Sequence, residues 1–194
     1  MTNARLHSYA RTERDAYFTI EAPRLIPLLH RHANIAGKVH EPAAGAGHIC
    51  DELDKISGVT AVVRSDIQAA PGIIQMPIED VTGDLDVDWV VTNLPFDQQD
   101  ALMAHLLRVY PQAKHAYLVR SAYLAPAKRD GLIHGNARFA GEIKISKRPK
   151  WIENSKGSPA VDYSWILFDR EGRTAAPKLA FENGPDVAFF GEDV

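Results

Sequence analysis

Lys38-Val39-His40-Glu41-Pro42-Ala43-Ala44-Gly45-Ala46-Gly47, followed by an amphipathic stretch from Ile49 to Ile56, is the part of the 194-residue chain whose reading decides the fold. Lys38 to Pro42 reads as an extended run, Gly45 to Gly47 as a tight turn of the kind glycine permits, and Ile49 to Ile56 as a helix. A β-branched apolar run, Val59 to Val63, comes next and terminates on Asp66. Strand, glycine turn, helix, strand is the unit from which parallel sheets are built, because a parallel pair needs a crossover.

The pattern repeats outward from there. Upstream, Ala22 to His32 carries Leu25, Ile26, Leu28 and Leu29 near helical spacing, with Pro23 in the first turn and Gly37 closing the unit. Downstream, a weak extended segment spans Gly72 to Ile78. A strongly apolar strand, Asp88 to Thr92, ends at Asn93-Leu94-Pro95-Phe96. Asp97 is a candidate N-cap for a helix with Leu102, Met103, Leu106 and Leu107 on one face. A buried strand at Ala116 to Val119, a helical stretch from Ala125 to Ile133, and strands at Glu142 to Ser146 and Tyr163 to Phe168 complete the alternation. Such alternation predicts a mostly parallel sheet with helices on both faces, Trp89, Trp165 and Phe168 belonging to its core. The tail after Asp169 shows no periodicity.

Composition narrows the functional classes. Apolar residues make up 45% and charged residues 24%, the mix of a globular domain, at a length that suits one core without a separate recognition domain. The single cysteine, Cys50, and histidines such as His30 and His32, two residues apart on different helix faces, offer no zinc-site spacing, so no metal is expected. The polar start, Met1 to Arg14, does not read as a signal peptide, and no apolar run approaches the roughly 18 residues of a membrane span. A cytoplasmic protein without membrane contact is the expectation. The net charge of −3 argues mildly against a chain that coats nucleic acid along its whole surface.

Three sites carry the chemistry. Glu41, three residues, Gly45, one residue, Gly47 lies at the carboxyl end of the first strand, the edge where open α/β sheets bind ligands. The third glycine of a dinucleotide fingerprint is missing, since position 50 is Cys50, and Glu41 points instead to a cationic partner. The ammonium group of S-adenosylmethionine is one. Asp66, about 20 positions after Gly47, ends the second strand where an acid receives ribose hydroxyls. Either feature alone is compatible with an ordinary tight turn or a helix cap. Asp88 to Phe96 shifts the balance: the Asn93 side-chain oxygen and the Leu94 carbonyl can accept both N–H bonds of an exocyclic amine while the Phe96 ring stacks on a base. An Asn-Pro turn needing no ligand is the alternative reading.

With these residues the chain resembles the amino-methyltransferases, most closely the small phage- and prophage-type DNA adenine-N6 methyltransferases. Glu41 to His48 looks like their cofactor loop, Ser65-Asp66 like their second acidic site, and Asn93 to Phe96 like their Asn-Pro-Pro-Phe/Tyr motif. Tyr17-Phe18-Thr19-Ile20-Glu21 is similar to the Tyr-x-Thr-Pro segment bordering the cofactor. Leu118-Val119-Arg120, Tyr123-Leu124, Lys147-Arg148-Pro149 and Asp162-Tyr163-Ser164-Trp165 extend the match over most of Tyr17 to Asp169. The resemblance implies an α/β, Rossmann-like class I methyltransferase with a doubly wound, mostly parallel sheet and an antiparallel final strand. Its parts would be a helical segment over 1–37 bordering the cofactor, the methyltransferase domain over 38–169 and a tail over 170–194. It further implies S-adenosylmethionine held by Phe18, Thr19, Glu41, Pro42, Ala43, Gly45, Gly47, Asp66 and Asn93, with Asn93, Leu94, Pro95 and Phe96 catalytic.

Leu94 and Ile20 depart from the family, each replacing a proline. Asn-Leu-Pro-Phe/Tyr is typical of ribosomal RNA adenine-N6 methyltransferases, and Asn-x-Pro-Tyr/Phe also serves glutamine methylation in proteins. The expected acceptor is therefore adenine N6 in DNA, with RNA, a protein glutamine, or an inactive cofactor-binding module as alternatives. Lys147 to Pro159 reads as a long basic loop. Either Trp151 stacks on a base while Lys147, Arg148, Lys150 and Lys156 meet phosphates, or the loop is solvated and the tryptophan packs on the core. Arg120 and Arg129 each read equally as substrate contacts or as surface ion-pair partners.

Overall fold

The structure, a computed structural model, describes residues 19–151, 160–171, 177–184 and 187–188. Helix α1 (Ala22–Ala33) takes a proline in its first turn, where the missing N–H costs no hydrogen bond, and ends on Asn34 at φ 52. After it come β1 (Gly37–Glu41), α2 (His48–Leu53), β2 (Val59–Asp66), β3 (Ile74–Gln75), β4 (Trp89–Thr92), α3 (Gln99–Val109), β5 (Lys114–Arg120), β6 (Phe139–Lys144), β7 (Tyr163–Phe168), β8 (Lys178–Phe181) and β9 (Val187–Ala188). They form one sheet in the order β3-β2-β1-β4-β5-β7-β6-β8-β9. β7 runs antiparallel to both β5 and β6, β9 antiparallel to β8, and the remaining pairs are parallel.

Strand alternation divides the core between two faces. Val91, Ala116, Leu118 and Trp165 pack under α1 and α2 with Leu25, Leu29 and Leu53. Val90, Tyr117, Val119, Ile166 and Phe168 pack under α3 with Met103 and Leu106. Both faces are covered, which is why the central strands read as continuous apolar runs rather than alternating ones. The sheet is the expected doubly wound one, with Tyr163–Phe168 as its antiparallel strand.

Several local expectations need correction. Asp97 does not cap α3: Gln98 precedes the helix, with no side-chain capping bond. Ala125 to Ile133 is no α-helix. Pro126, which has no N–H to donate, separates two 3₁₀ turns, Ser121–Leu124 and Ala127–Arg129. The weak segment around Gly72 contributes only a two-residue strand and then a 3₁₀ turn at Ile78–Asp80. β6 starts at Phe139 rather than Glu142, through a bulge at Gly141, whose φ is 139. The sheet also continues past Asp169, because β8 lies parallel against β6 and turns back into β9. No helix among the described residues is long and apolar enough to cross a membrane.

Buried polar groups tie the layers together. The Arg138 guanidinium donates to the carbonyls of Leu107 (2.6 Å), Tyr110 (3.2 Å), Ala113 (2.9 Å) and Asp169 (2.7 Å), binding the end of α3 to the start of β5 and the end of β7. His40 bonds Ser65 Oγ (2.8 Å) and Tyr110 OH (3.1 Å). His115 bonds the Tyr110 carbonyl (3.0 Å) and Tyr117 OH (2.8 Å).

Candidate functional site

Because β1, β2, β4 and β5 are parallel, their last residues share one edge of the sheet: Glu41, Asp66, Thr92 with Asn93 beyond it, and Arg120. Antiparallel β7 adds its first residue, Tyr163, which pairs with Arg120. Topology thus gathers residues that lie far apart in the chain.

Between β1 and α2 the backbone reverses through Gly45 (φ 53) and Gly47 (φ 85), positive values that side-chain-bearing residues rarely adopt. Asp66 holds this turn in place: its Oδ2 accepts from Gly45 N–H (2.8 Å) and its Oδ1 from Gln68 N–H (2.9 Å). Ala44 N–H donates to the Ser65 carbonyl at 2.9 Å. Pro42 is buried and Ala43 half-buried beneath the turn. Arg64, from β2, clamps α2 through Asp51 (2.7 Å) and through Asp54 just past its end.

Glu41 is fully buried. Its Oε1 accepts from Ala43 N–H at 2.9 Å, while Oε2 has no hydrogen-bond partner. Burial raises its pKa to about 8, opposed by the nearby Thr92 hydroxyl and the Ala43 N–H and reinforced by the charge of Asp66. The Thr92 hydroxyl lies near enough to favour the charged form but falls short of hydrogen-bond geometry, and Thr92 Oγ1 is itself buried and unpartnered.

Asn93 shows the same incompleteness. Its Nδ2 donates to Thr19 Oγ1 at 3.2 Å, whereas its buried Oδ1 has no partner. Thr19, just before α1, therefore touches the end of β4, as a residue bordering the site should. Phe18 lies outside the described residues. Leu94 is buried, and Pro95 and Phe96 are half-buried beside it.

The Phe96 ring belongs to an aromatic cluster. Tyr163 lies 6.1 Å from it at 40°, Trp151 lies edge-on at 6.4 Å, and Trp151 and Tyr163 are 4.9 Å apart. The Arg120 guanidinium sits over the Phe96 ring, 4.7 Å from its centroid. Trp151 thus packs on the core, as the second reading of the loop has it, and does so beside Phe96.

The first part of the basic loop is tied down. Glu182 Oε2 accepts from the N–H groups of Ser146 (2.8 Å) and Lys147 (3.1 Å), and Glu21 Oε1 accepts from Lys150 N–H (2.9 Å). Arg24 bridges both carboxylates at 2.8 Å and donates to the Lys147 carbonyl. Lys147, Arg148 and Lys150 keep their side chains exposed, Arg148 paired to Asp162 at 2.6 Å. Lys156 and the rest of the loop to Pro159 lie outside the described residues. Arg129 proves to be an ion-pair partner, held by Asp100 at 2.8 Å, whereas Arg120 meets the Phe96 ring. Glu21, Arg24 and Glu182 have no signal in the sequence, since their partners are distant: Arg24 and Glu182 are 158 residues apart, Lys150 and Glu21 129, and Ser146 and Glu182 36.

No protein-family model matches the chain, and no curated protein matches its sequence. Solved structures do match. A protein from Listeria monocytogenes assigned to the class I S-adenosylmethionine-dependent methyltransferases aligns at a TM-score of 0.59 and 17% identity, over 91% of this chain and 70% of that one. The type IIG restriction endonuclease BpuSI aligns at 0.56 and 11%, over 84% of this chain and 26% of its own. The N-methyltransferase NodS from Bradyrhizobium japonicum aligns at 0.50 and 9%, over 78% and 95%. With the crossed order β3-β2-β1-β4-β5-β7-β6 and an antiparallel β7, these likenesses give the chain the class I S-adenosylmethionine-dependent methyltransferase fold.

Proposed function

We propose that the chain transfers the methyl group of S-adenosylmethionine to an exocyclic amine, adenine N6 in DNA being the acceptor. The observation that carries this reading is a pair of buried, unpartnered acceptors at one sheet edge, Glu41 Oε2 and Asn93 Oδ1. Buried polar atoms are normally bonded, and an orphan at a ligand edge calls for a donor from outside the chain.

The residues suit the cofactor. A buried carboxylate oxygen beside a glycine turn fits an ammonium group, and Asp66, with two accepted bonds, retains lone pairs for ribose hydroxyls. Thr19 would close the site from the N-terminal side. When bound, the sulfonium supplies an activated methyl and its own leaving group. The chain's contribution is positioning. Asn93 Oδ1 and the Leu94 carbonyl accept the two N–H bonds of the amine, Pro95 stiffens the turn, and Phe96 supports the base plane. Accepting both bonds directs the nitrogen lone pair outward, and the amine loses its proton only after methylation, so no strong general base is needed.

DNA is favoured among acceptors by the exposed cationic residues Lys147, Arg148 and Lys150, which lead in the chain to Trp151 beside Phe96, and by the fold shared with a restriction endonuclease. Leu94 favours RNA as the second reading. The test is methyl transfer from labelled S-adenosylmethionine to adenine-containing DNA and RNA. Asn93→Ala should lower kcat by roughly 10²- to 10³-fold, the usual cost of one preorganised polar contact, with cofactor affinity changed far less. Undiminished turnover in that variant would remove Asn93 from the chemistry, and transfer only to a protein glutamine would replace the acceptor.

A further inference from the structure

We infer that Arg120 is a substrate-phosphate anchor that, in the free protein, rests on the ring face of Phe96 that the target base takes. The inference rests on the nucleic-acid reading above and adds to it a residue and a motion. Arg120 is the last residue of β5, so its side chain leaves on the same face as Ala116 and Leu118, toward α1 and the candidate site. Among the described residues, Tyr163, Trp151 and Arg120 lie against Phe96. Tyr163 is buried in the core and Trp151 is half-buried against it, so neither can withdraw. Arg120 is exposed, and no carboxylate pairs with it among the described residues. The ring face it covers, at 4.7 Å from guanidinium carbon to centroid, is therefore the face that can open.

A guanidinium is suited to both positions. It stacks on an aromatic plane when no ligand is present, and its planar fork of donors binds a phosphate in bidentate fashion. Arrival of a base on Phe96 displaces Arg120 toward the adjacent backbone phosphate. Arg129, by contrast, is committed to Asp100 and stays in place.

The test compares wild type and Arg120→Ala in equilibrium binding to two adenine-containing single strands of one sequence, one with phosphodiester linkages and one with neutral methylphosphonate linkages. On the phosphodiester strand the variant should bind about tenfold more weakly, and the slope of log K against log salt should fall by about one, as for loss of one phosphate contact. Arg120→Lys should restore that slope. On the neutral strand the anchor has nothing to hold and only competes for the ring, so Arg120→Ala should bind equally well or more tightly. Weaker binding to both strands, or an unchanged salt slope, would overturn the inference. A wild-type protein that binds neither DNA nor RNA strands would instead overturn the nucleic-acid reading and the anchor with it.

Discussion

Cofactor binding should expel close to one proton at neutral pH, and Glu41 should be its source. Burial raises this carboxyl to about 8, so at pH 7 about nine-tenths of the free protein carries it protonated. An ammonium group binding at Oε2 favours the carboxylate and so requires that proton to leave. Ionising Glu41 at pH 7 costs about 1.4 kcal/mol, the equivalent of one pKa unit, so the affinity of wild type relative to Glu41→Gln, a ratio free of the ligand's own titration, should rise about tenfold from pH 7 to its plateau above pH 8.

The assay is calorimetric titration with S-adenosylmethionine at pH 7 in buffers of different ionisation enthalpy, in which the slope of observed heat against buffer enthalpy counts protons released. The ligand's own amino group titrates nearby, so the quantity of interest is the difference between wild type and Glu41→Gln, in which the ligand's contribution cancels. That difference should be about 0.9 proton at pH 7 and fall toward 0.1 at pH 9. Equal proton counts in the two proteins would refute both the raised carboxyl and its pairing with the ammonium.

Stability should peak near pH 6.5. Glu41 holds its proton more tightly when folded, so its contribution is lost as pH rises from about 4.5 to about 8, at about 1.4 kcal/mol per pH unit. Burial lowers His40 to about 4, with help from Lys38, and His115 to about 3. Both favour the neutral ring, so stability is also lost as pH falls below 6.5, where two imidazoles outweigh one carboxyl. Thermal melts across this range check it, and Glu41→Gln should flatten the alkaline limb and steepen the acid limb between about pH 4.5 and 6.5. Arg138→Met leaves the Leu107, Ala113 and Asp169 carbonyls without this donor, while Tyr110 keeps His115, and should cost about 3 kcal/mol or more by urea unfolding, since unsatisfied buried acceptors cost about 1 to 3 kcal/mol each. Gly141→Ala forces a side chain into a φ of 139 and against the Lys178 backbone, so β8 should lose its pairing with β6. Faster amide exchange in Lys178 to Phe181, with β5 still protected, is the expected reading.

The central sheet was legible because its determinants are local. Trp89 to Thr92 is buried on both faces, so apolar content alone marks it, Val59 to Val63 is marked by its β-branched residues although half of it is exposed, and Gly45 and Gly47 sit where the backbone demands positive φ. Glu41, Asp66 and Asn93 could be grouped from sequence for the same reason: each ends a parallel strand, and parallel strands end at one edge. What sequence missed depends on partners supplied from afar. Lys-Leu-Ala-Phe at β8 has little strand character of its own and becomes a strand because the Gly141 bulge lets its backbone approach β6.

The basic loop shows why such distant partners matter for activity. A run with Lys147, Arg148 and Lys150 reads as solvated from its composition, yet Glu182 and Glu21 bind its backbone N–H groups and leave its cationic side chains outward. Glu21 is two residues from Thr19, whose hydroxyl meets Asn93, and Trp151 is the next residue after Lys150 and meets Phe96. The start of α1 is thus joined to both ends of the Asn93 to Phe96 segment, once directly and once through the loop. A ligand that bears on Thr19 or Asn93 therefore also bears on the Phe96 aromatic cluster, which couples the two ends of the candidate site through bonded contacts.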